Sequence, residues 1–302
     1  MTYLPFSPDK RPLGKSGIEI SPIAWGMWRF AGDDVTLARR KIEAALAAGI
    51  TLFDTADIYG PDNGEPFGAA EALLGRVFKD APSLRHEMVL ATKGGIVIGT
   101  PYDSSAAYIE QAIDASLKRL GVERVELWQI HRPDILAHPA EIARALDKAR
   151  ATGKIVTAGV SNYTAAQTAA LQQYLSFPLA STQPEFSALT LDPIRSGLLD
   201  QAIQMELAVL AWSPLGGGRI VAPADDRAHS VASLLDKKAA EFSVDRAAAA
   251  LSWTMMHPAR PIPIVGTQRP ERIAEIQQAL KPRWTRAEWY AVLQASMGER
   301  LP

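Results

Sequence analysis

The stretch VELWQIHRPDILAHPAEIARALDKARATGKIVTAGVSNY, residues 125–163, decides the fold. It opens on a continuous apolar run, VELWQI (125–130), passes through a polar motif, HRPD (131–134), and enters a segment of helical period that ends at Gly153. A second apolar run, IVTAGV (155–160), follows and is closed by SNY (161–163). Pro139 stands in the first helical turn, where the N–H it lacks would have no intrahelical partner, and Gly153 supplies the left-handed residue that ends a helix. Neither apolar run alternates strictly with polar residues, which is how a strand buried on both faces reads. Strand, helix, strand in this order predicts parallel neighbours joined by a crossover.

The pattern repeats outward in both directions. Upstream lie IAWGM (23–27), TLFD (51–54) and EMVLAT (87–92); downstream lie LASTQ (179–183), LAVLAW (207–212) and PIPIVG (261–266), which makes eight runs. The helix DDVTLARRKIEAALAAG is expected to start at an Asp33 cap and stop at Gly49, and SSAAYIEQAIDASLKRLG to run from Ser104 or Ser105 to Gly121. Eight such units predict an α/β fold, a closed (β/α)8 TIM barrel. RPLGKSGIEIS (11–21) reads as an N-terminal β-hairpin covering the barrel bottom, and TRAEWYAVLQASM (285–297) as an extra C-terminal helix. The chain has 302 residues, enough for one barrel of typically ~250. With no linker or low-complexity tract, residues 1–302 are expected to form one domain.

Bulk composition removes several classes of function. A net charge of −1, with 32 basic and 33 acidic residues scattered along the chain, gives no basic patch for nucleic acid. The absence of cysteine excludes disulfides, thiolate nucleophiles and Cys-ligated metals. The five histidines, at 86, 131, 138, 229 and 257, show no i, i+4 ligand spacing, so no metal is expected. No G-x-G-x-x-G follows a strand, no P-loop is present, and GVSNY is not a nucleophile elbow. MTYLPFSPDKR has no apolar core of a secretory signal and no apolar stretch is long enough to span a bilayer, so a cytoplasmic location without a membrane partner is expected.

In a barrel of this kind the chemistry gathers where the strands end. The residues there are DTADIYG (54–60), KGG (93–95), HRPD (131–134), SNY (161–163), SPLGGG (213–218) and GTQRPER (266–272). The first three supply Asp54, Tyr59, Lys93 and His131. Reducing a carbonyl requires a hydride on carbon and a proton on oxygen. A free phenol, with a pKa near ~10, is a reluctant acid, and a buried ammonium beside it lowers that value. Lys93 suits that role, Asp54 keeps the ammonium charged, and a neutral His131 donates a hydrogen bond to the carbonyl oxygen. Each residue alone has a duller role: a packing tyrosine, a turn-capping aspartate, a core histidine. A lysine directly after an apolar run is less ordinary, since ammonium groups are seldom buried without a partner. SPLGGG offers unobstructed backbone amides for a pyrophosphate. GTQRPERIAEIQ opens a helix whose N-terminus attracts anions, with Arg269 and Arg272 in reach of a phosphate. Each of these also reads as an ordinary solvated loop. Trp212 is placed to stack on a flat ring or to fill the core.

At DTADIYG, ATKGG and QIHRPD the chain resembles the aldo-keto reductases, and the likeness runs from RPLGKSGIEIS to GTQRPERIAE. The segment from Gly49 to Gly60 matches G-x-x-x-x-D-T-A-x-x-Y-G. The resemblance implies reduction of an aldehyde or ketone, with the reverse alcohol oxidation also available, and a catalytic tetrad of Tyr59 as general acid with Lys93, Asp54 and His131. It implies nicotinamide contacts from Ser161, Asn162 and Gln183, ring stacking on Trp212, and a pyrophosphate loop of Ser213, Pro214, Leu215, Gly216 and Gly217. It further implies cofactor contacts from Asp54, Gly26, Met27 and Trp28, an adenosine end at Gly266, Thr267, Arg269, Arg272 and Glu275, and substrate contacts from Trp28, Tyr59 and His131. NADPH is favoured, with NADH as the alternative. The lysine common in NADPH-preferring members is Gly266 here and the usual asparagine is Ile276, which leaves Arg269 as the replacement charge. PDNGEPFG (61–68) departs from the commonest members and bears on the substrate rim. Trp25, Trp28, Phe30, Phe186 and Trp253 are candidate lining for an apolar pocket. Two other readings stand beside this one: a nucleotide-binding sensor or regulatory subunit with slow turnover, and an unrelated barrel hydrolase, which would need a carboxylate pair or metal at the rim.

Overall fold

The computed structural model describes residues 2–302. A short antiparallel ribbon, β1 (Arg11–Pro12) with β2 (Glu19–Ile20), leads into eight parallel strands. These are β3 (Ala24–Gly26), β4 (Leu52–Asp54), β5 (Val89–Gly94), β6 (Val125–Ile130), β7 (Ile155–Ser161), β8 (Ser181–Gln183), β9 (Ala208–Ala211) and β10 (Ile262–Val265). Each pairs with its successor, and β10 pairs with β3 through Ile264↔Ala24 and Val265↔Trp25, which closes a (β/α)8 TIM barrel.

Alternation along the strands sorts the side chains. Leu52, Ala91, Leu127, Ala208 and Leu210 share an apolar cluster inside the barrel with Leu13 and Ile20 of the ribbon. Two residues further along, the same faces carry Asp54, Lys93 and Gln129, so the barrel is filled by an apolar lower layer and a polar upper one. The opposite faces, with Phe53, Leu90, Trp128 and Ile130, pack into the main core under the helices. The ribbon plugs the lower end: a Cβ on Gly14 would collide with the backbone of Ala180, directly before β8.

Local signals account for the boundaries, with three corrections. The helix Val35–Ala47 is capped by Asp34, whose carboxylate accepts from Leu37 N at 2.9 Å, and not by Asp33. An N-cap must reach the amide three residues on, and Asp34 is the residue in that register. β5 extends past the apolar pattern through Lys93 and Gly94, because the ammonium finds its acceptors inside the barrel. The segment after Gly266 is one α-turn, Pro270–Ala274, continued by a 3-10 stretch, Glu275–Leu280, and is shorter than its pattern suggested. Ser105 caps Ala106–Leu120, and Gly121 ends that helix at φ +65°. The C-terminal helix Arg286–Met297 starts from a Thr285–Glu288 capping box. Its Trp289 stacks on Trp253, ring centres 4.8 Å apart, and each indole N–H donates to the other's carbonyl at 3.1 Å. Among the described residues no helix is long and apolar enough to cross a membrane.

Gly75 lies where the helix Ala69–Asp80 crosses Ala106–Leu120, and a Cβ there would collide with the Arg119 carbonyl. Alanine improves helix propensity by about 1 kcal/mol, but overpacking against a backbone group costs up to about 3 kcal/mol. Gly75→Ala should therefore lower stability by up to about 2 kcal/mol, read as a lower urea midpoint at unchanged slope.

Candidate active site

The polar upper layer of the barrel converges on one ion pair. Lys93 Nζ donates to Asp54 Oδ2 at 2.6 Å and to the Thr55 carbonyl at 2.8 Å, and its side chain is wholly excluded from solvent. Asp54 Oδ1 accepts from Gln183 Nε2 at 3.0 Å and from Gln129 Nε2 at 3.3 Å. These four side chains come from β4, β5, β6 and β8, and register explains the meeting: Lys93 pairs with Gln129 across β5 and β6, and Asp54 pairs with Ala91, two residues below Lys93. Gln129 was not anticipated from sequence. It stands two residues before His131 in an apolar run, and a polar residue inside such a run was the available signal.

Tyr59 sits above the pair on the loop after β4, with Lys93 Nζ 5.1 Å from its ring centre. The His131 ring meets the Tyr59 ring edge-on, centres 5.9 Å apart. The four residues expected to act together are thus brought to one end of the barrel.

Burial pushes the Tyr59 phenol above its ordinary value of about 10, and the charge and hydrogen bonding of Lys93 pull it back without reversing it. The expectation of a net lowering is corrected: the phenol holds its proton more tightly than a free one, because desolvation outweighs the neighbouring cation. Burial opposes the Lys93 charge, but Asp54 and Tyr59 outweigh it and hold the ammonium above its usual range. Burial, followed by the charges of Lys93 and Arg132, keeps His131 well below its usual value, so its ring is neutral near pH 7.

Around this centre the rim is built from constrained backbone. Asn162 (φ +60°) and Ser213 (φ +47°) are left-handed although neither is glycine. Asn162 Nδ2 donates to Ser161 Oγ at 2.8 Å and to the His131 carbonyl at 3.2 Å, while its Oδ1 accepts from Trp212 Nε1 at 3.0 Å. Ser161 Oγ donates to the Gln183 carbonyl at 3.0 Å. Trp212 is therefore a half-exposed rim residue tied by its edge, with the Arg132 guanidinium 5.6 Å from its ring centre.

A model of the Aldo/keto reductase family matches residues 22–296 of the chain. The chain is an aldo-keto reductase. It is 55% identical to the 6-dehydroglucose reductase of Novosphingobium aromaticivorans, over all of both chains, and 36% identical to that of Agrobacterium fabrum, over 94% of this chain and 97% of the other. The glycerol dehydrogenase AKR11B4 of Gluconobacter oxydans superposes with a TM-score of 0.84 at 25% identity, covering 98% of each chain. Membership makes the chain an NAD(P)H-dependent oxidoreductase.

The remaining rim of this aldo-keto reductase fits such a nucleotide. Gly216, Gly217 and Gly218 are all left-handed, and Gly217 and Gly218 face open space in which an added Cβ meets nothing within 4 Å. Pro214 and Leu215 lead into that turn. Gly266 is equally open, Thr267 holds Trp25 Nε1 through its carbonyl at 2.8 Å, and Gln268 Oε1 is buried without a partner. Arg269, Arg272 and Glu275 are exposed along the following turn. Gly26 and Met27 lie at the end of β3, where Met27 N donates to the Asp54 carbonyl at 2.9 Å, and Trp28 is 44% exposed just beyond. Of the aromatics expected to line a pocket, only Trp28 is exposed at the rim. Trp25, Phe30, Phe186 and Trp253 are buried in the main core: Trp25 on the helix-facing side of β3, Phe30 and Phe186 in loops beyond β3 and β8, and Trp253 in the helix Arg246–Met255.

Two further features had no clear signal in the sequence. Glu71 is wholly buried, accepting from Thr92 Oγ1 at 2.5 Å and from Arg119 Nε at 2.7 Å. Beside it, burial and the Glu71 charge hold the Asp57 carboxyl well above the carboxylate range.

Proposed function

We propose that this aldo-keto reductase reduces a polyhydroxylated aldehyde, with 6-dehydroglucose as the first candidate, using NADPH and the proton of Tyr59. The observation that carries the reading is the solvent-excluded Lys93–Asp54 pair beneath Tyr59, with His131 at the phenol's edge. A nicotinamide nucleotide, when bound, would supply the hydride for the carbonyl carbon. The neutral His131 orients the carbonyl oxygen through an N–H, and Tyr59 gives that oxygen its proton. The phenolate left behind is held by Lys93, whose charge Asp54 maintains. A phenol that keeps its proton through neutral pH suits the reductive direction.

Ser161, Asn162 and Gln183 supply amide and hydroxyl groups for the carboxamide, Trp212 a face for the ring, and residues 213–217 the pyrophosphate cradle. Asp54, Gly26, Met27 and Trp28 border the nicotinamide, and Gly266, Thr267 and Glu275 the adenosine. Arg269 and Arg272 make no side-chain hydrogen bond or ion pair among the described residues, which favours a 2′-phosphate and hence NADPH over NADH. The substrate class rests on the two relatives named 6-dehydroglucose reductase. Arg132 adds support. It is half-buried beside His131 and has no hydrogen-bonding or ionic partner among the described residues, so its N–H fork is available to substrate hydroxyls.

The deciding experiment follows NADPH and NADH consumption with 6-dehydroglucose, propanal and a methyl ketone. The sugar aldehyde with NADPH should give the highest kcat/KM, and failure to oxidise either nucleotide with any carbonyl defeats the reading. Across pH, kcat for reduction should stay level from about 6.5 to about 10. Above its depressed value His131 remains neutral, and below its raised value Tyr59 remains protonated. A steep loss of kcat as pH rises from 7 to 9 would contradict the Tyr59 assignment, and one as pH falls from 9 to 7 the His131 assignment.

A further inference from the structure

The turn that follows Tyr59 is fastened to the loop that follows β3 by three of its own side chains. Asp62 Oδ2 accepts from Trp28 Nε1 at 3.0 Å, Asn63 Nδ2 donates to the Trp28 carbonyl at 2.6 Å, and Glu65 Oε1 accepts from Gly32 N at 2.6 Å. The turn is compact in its own right. The Gly60 carbonyl accepts from Asn63 N at 2.8 Å and Glu65 N at 3.1 Å, and Pro66 leaves no room for a side chain on Gly60. Trp28 is therefore an exposed indole whose edge and backbone are both pinned. The Arg29 guanidinium lies 4.7 Å from its ring centre. An indole held in this way offers a rigid apolar face at a wet mouth, and its ordering cost is met before any ligand arrives.

We propose that Asp62 is a positioning residue for substrate selection: through the Trp28 indole N–H it sets the aromatic wall on which the C–H face of a sugar-sized aldehyde packs. This rests on the reductase reading above and adds a reason for the selectivity. A ring-sized substrate with its aldehyde at Tyr59 extends outward to the rim, where Trp28 stands. A three-carbon aldehyde has no ring face to pack on the indole. Among the described residues the Asp62 side chain hydrogen-bonds to Trp28 and not to Tyr59, Lys93 or His131, so its influence belongs to the substrate's remote part, where binding and not chemistry is affected.

The test compares Asp62→Ala with the unsubstituted enzyme, NADPH saturating, on 6-dehydroglucose and on propanal. Losing one preorganised side chain should raise KM for the sugar aldehyde roughly two- to tenfold, with kcat and the propanal constants unchanged. Asp62→Asn, which keeps an acceptor oxygen, should restore the lower KM. In a Trp28→Phe background, which lacks the indole N–H, Asp62→Ala should add nothing. Exchange of the Trp28 indole proton, identified as the resonance missing in Trp28→Phe, gives a readout without turnover: it should be protected in the parent and fast in Asp62→Ala. Equal losses on both aldehydes, persistence of the full effect in Trp28→Phe, or an indole proton equally fast in both proteins would overturn the proposal. A parent enzyme inactive on every carbonyl would sink the reductase reading instead, and the exchange measurement would still decide whether Asp62 holds the indole.

Discussion

Tyr59→Phe is expected to lower kcat for aldehyde reduction by roughly 10²- to 10⁴-fold, the range for loss of a positioned proton donor. Phenylalanine keeps the ring that meets His131 edge-on and removes only the hydroxyl. Nucleotide binding, followed by quenching of tryptophan fluorescence, should persist nearly unchanged, since the substitution leaves every side chain proposed to hold the nucleotide in place. Retention of more than a tenth of the activity would mean that water or another group delivers the proton, and Tyr59 would lose its role.

Lys93→Met should be the most destabilising single change in the site. It strands the Asp54 carboxylate inside the barrel with only Gln129 and Gln183 as donors. Removing one partner of a buried ion pair costs about 3–5 kcal/mol, whereas replacing both with apolar groups is often neutral. The double variant Lys93→Met, Asp54→Leu should therefore regain most of the stability, measured by urea unfolding, while remaining inactive. A single variant as stable as the parent would show that Asp54 is not buried as an anion. An active double variant would show that the ion pair serves the fold alone.

The barrel was legible because its strands are buried on both faces and its helices carry their own stops. Gly49, Gly121 and Gly153 announce helix ends that the structure places at φ +73°, +65° and +74°. The clustering of Asp54, Tyr59, Lys93 and His131 at one end of the barrel was legible because three of them follow apolar runs at the strand ends. Other features were not, for identifiable reasons. Whether Asp33 or Asp34 caps a helix turns on a single hydrogen bond. Gln129 meets Asp54 only through cross-strand register, which no local pattern encodes. The burial of Trp25 depends on which face of β3 it takes, and a one-residue shift in strand start exchanges the two faces; that of Phe30, Phe186 and Trp253 depends on how loops and a helix fold back on the barrel, which no local pattern encodes. The sign of the Tyr59 shift depends on the balance of desolvation against charge, which requires the three-dimensional surroundings.

The pairing of β10 with β3 joins the last-made strand to the first of the eight. On the ribosome, therefore, an incomplete chain carries two open sheet edges, at β3 and β9, until residues 262–265 emerge. Unpaired edges of apolar strands recruit other strands, and such long-range contacts form slowly. Overproduction at high temperature should thus yield aggregates rich in nascent or slowly closing chains, relieved by slower synthesis or added chaperone. Solubility of this enzyme is in that sense decided by the timing of its final seam.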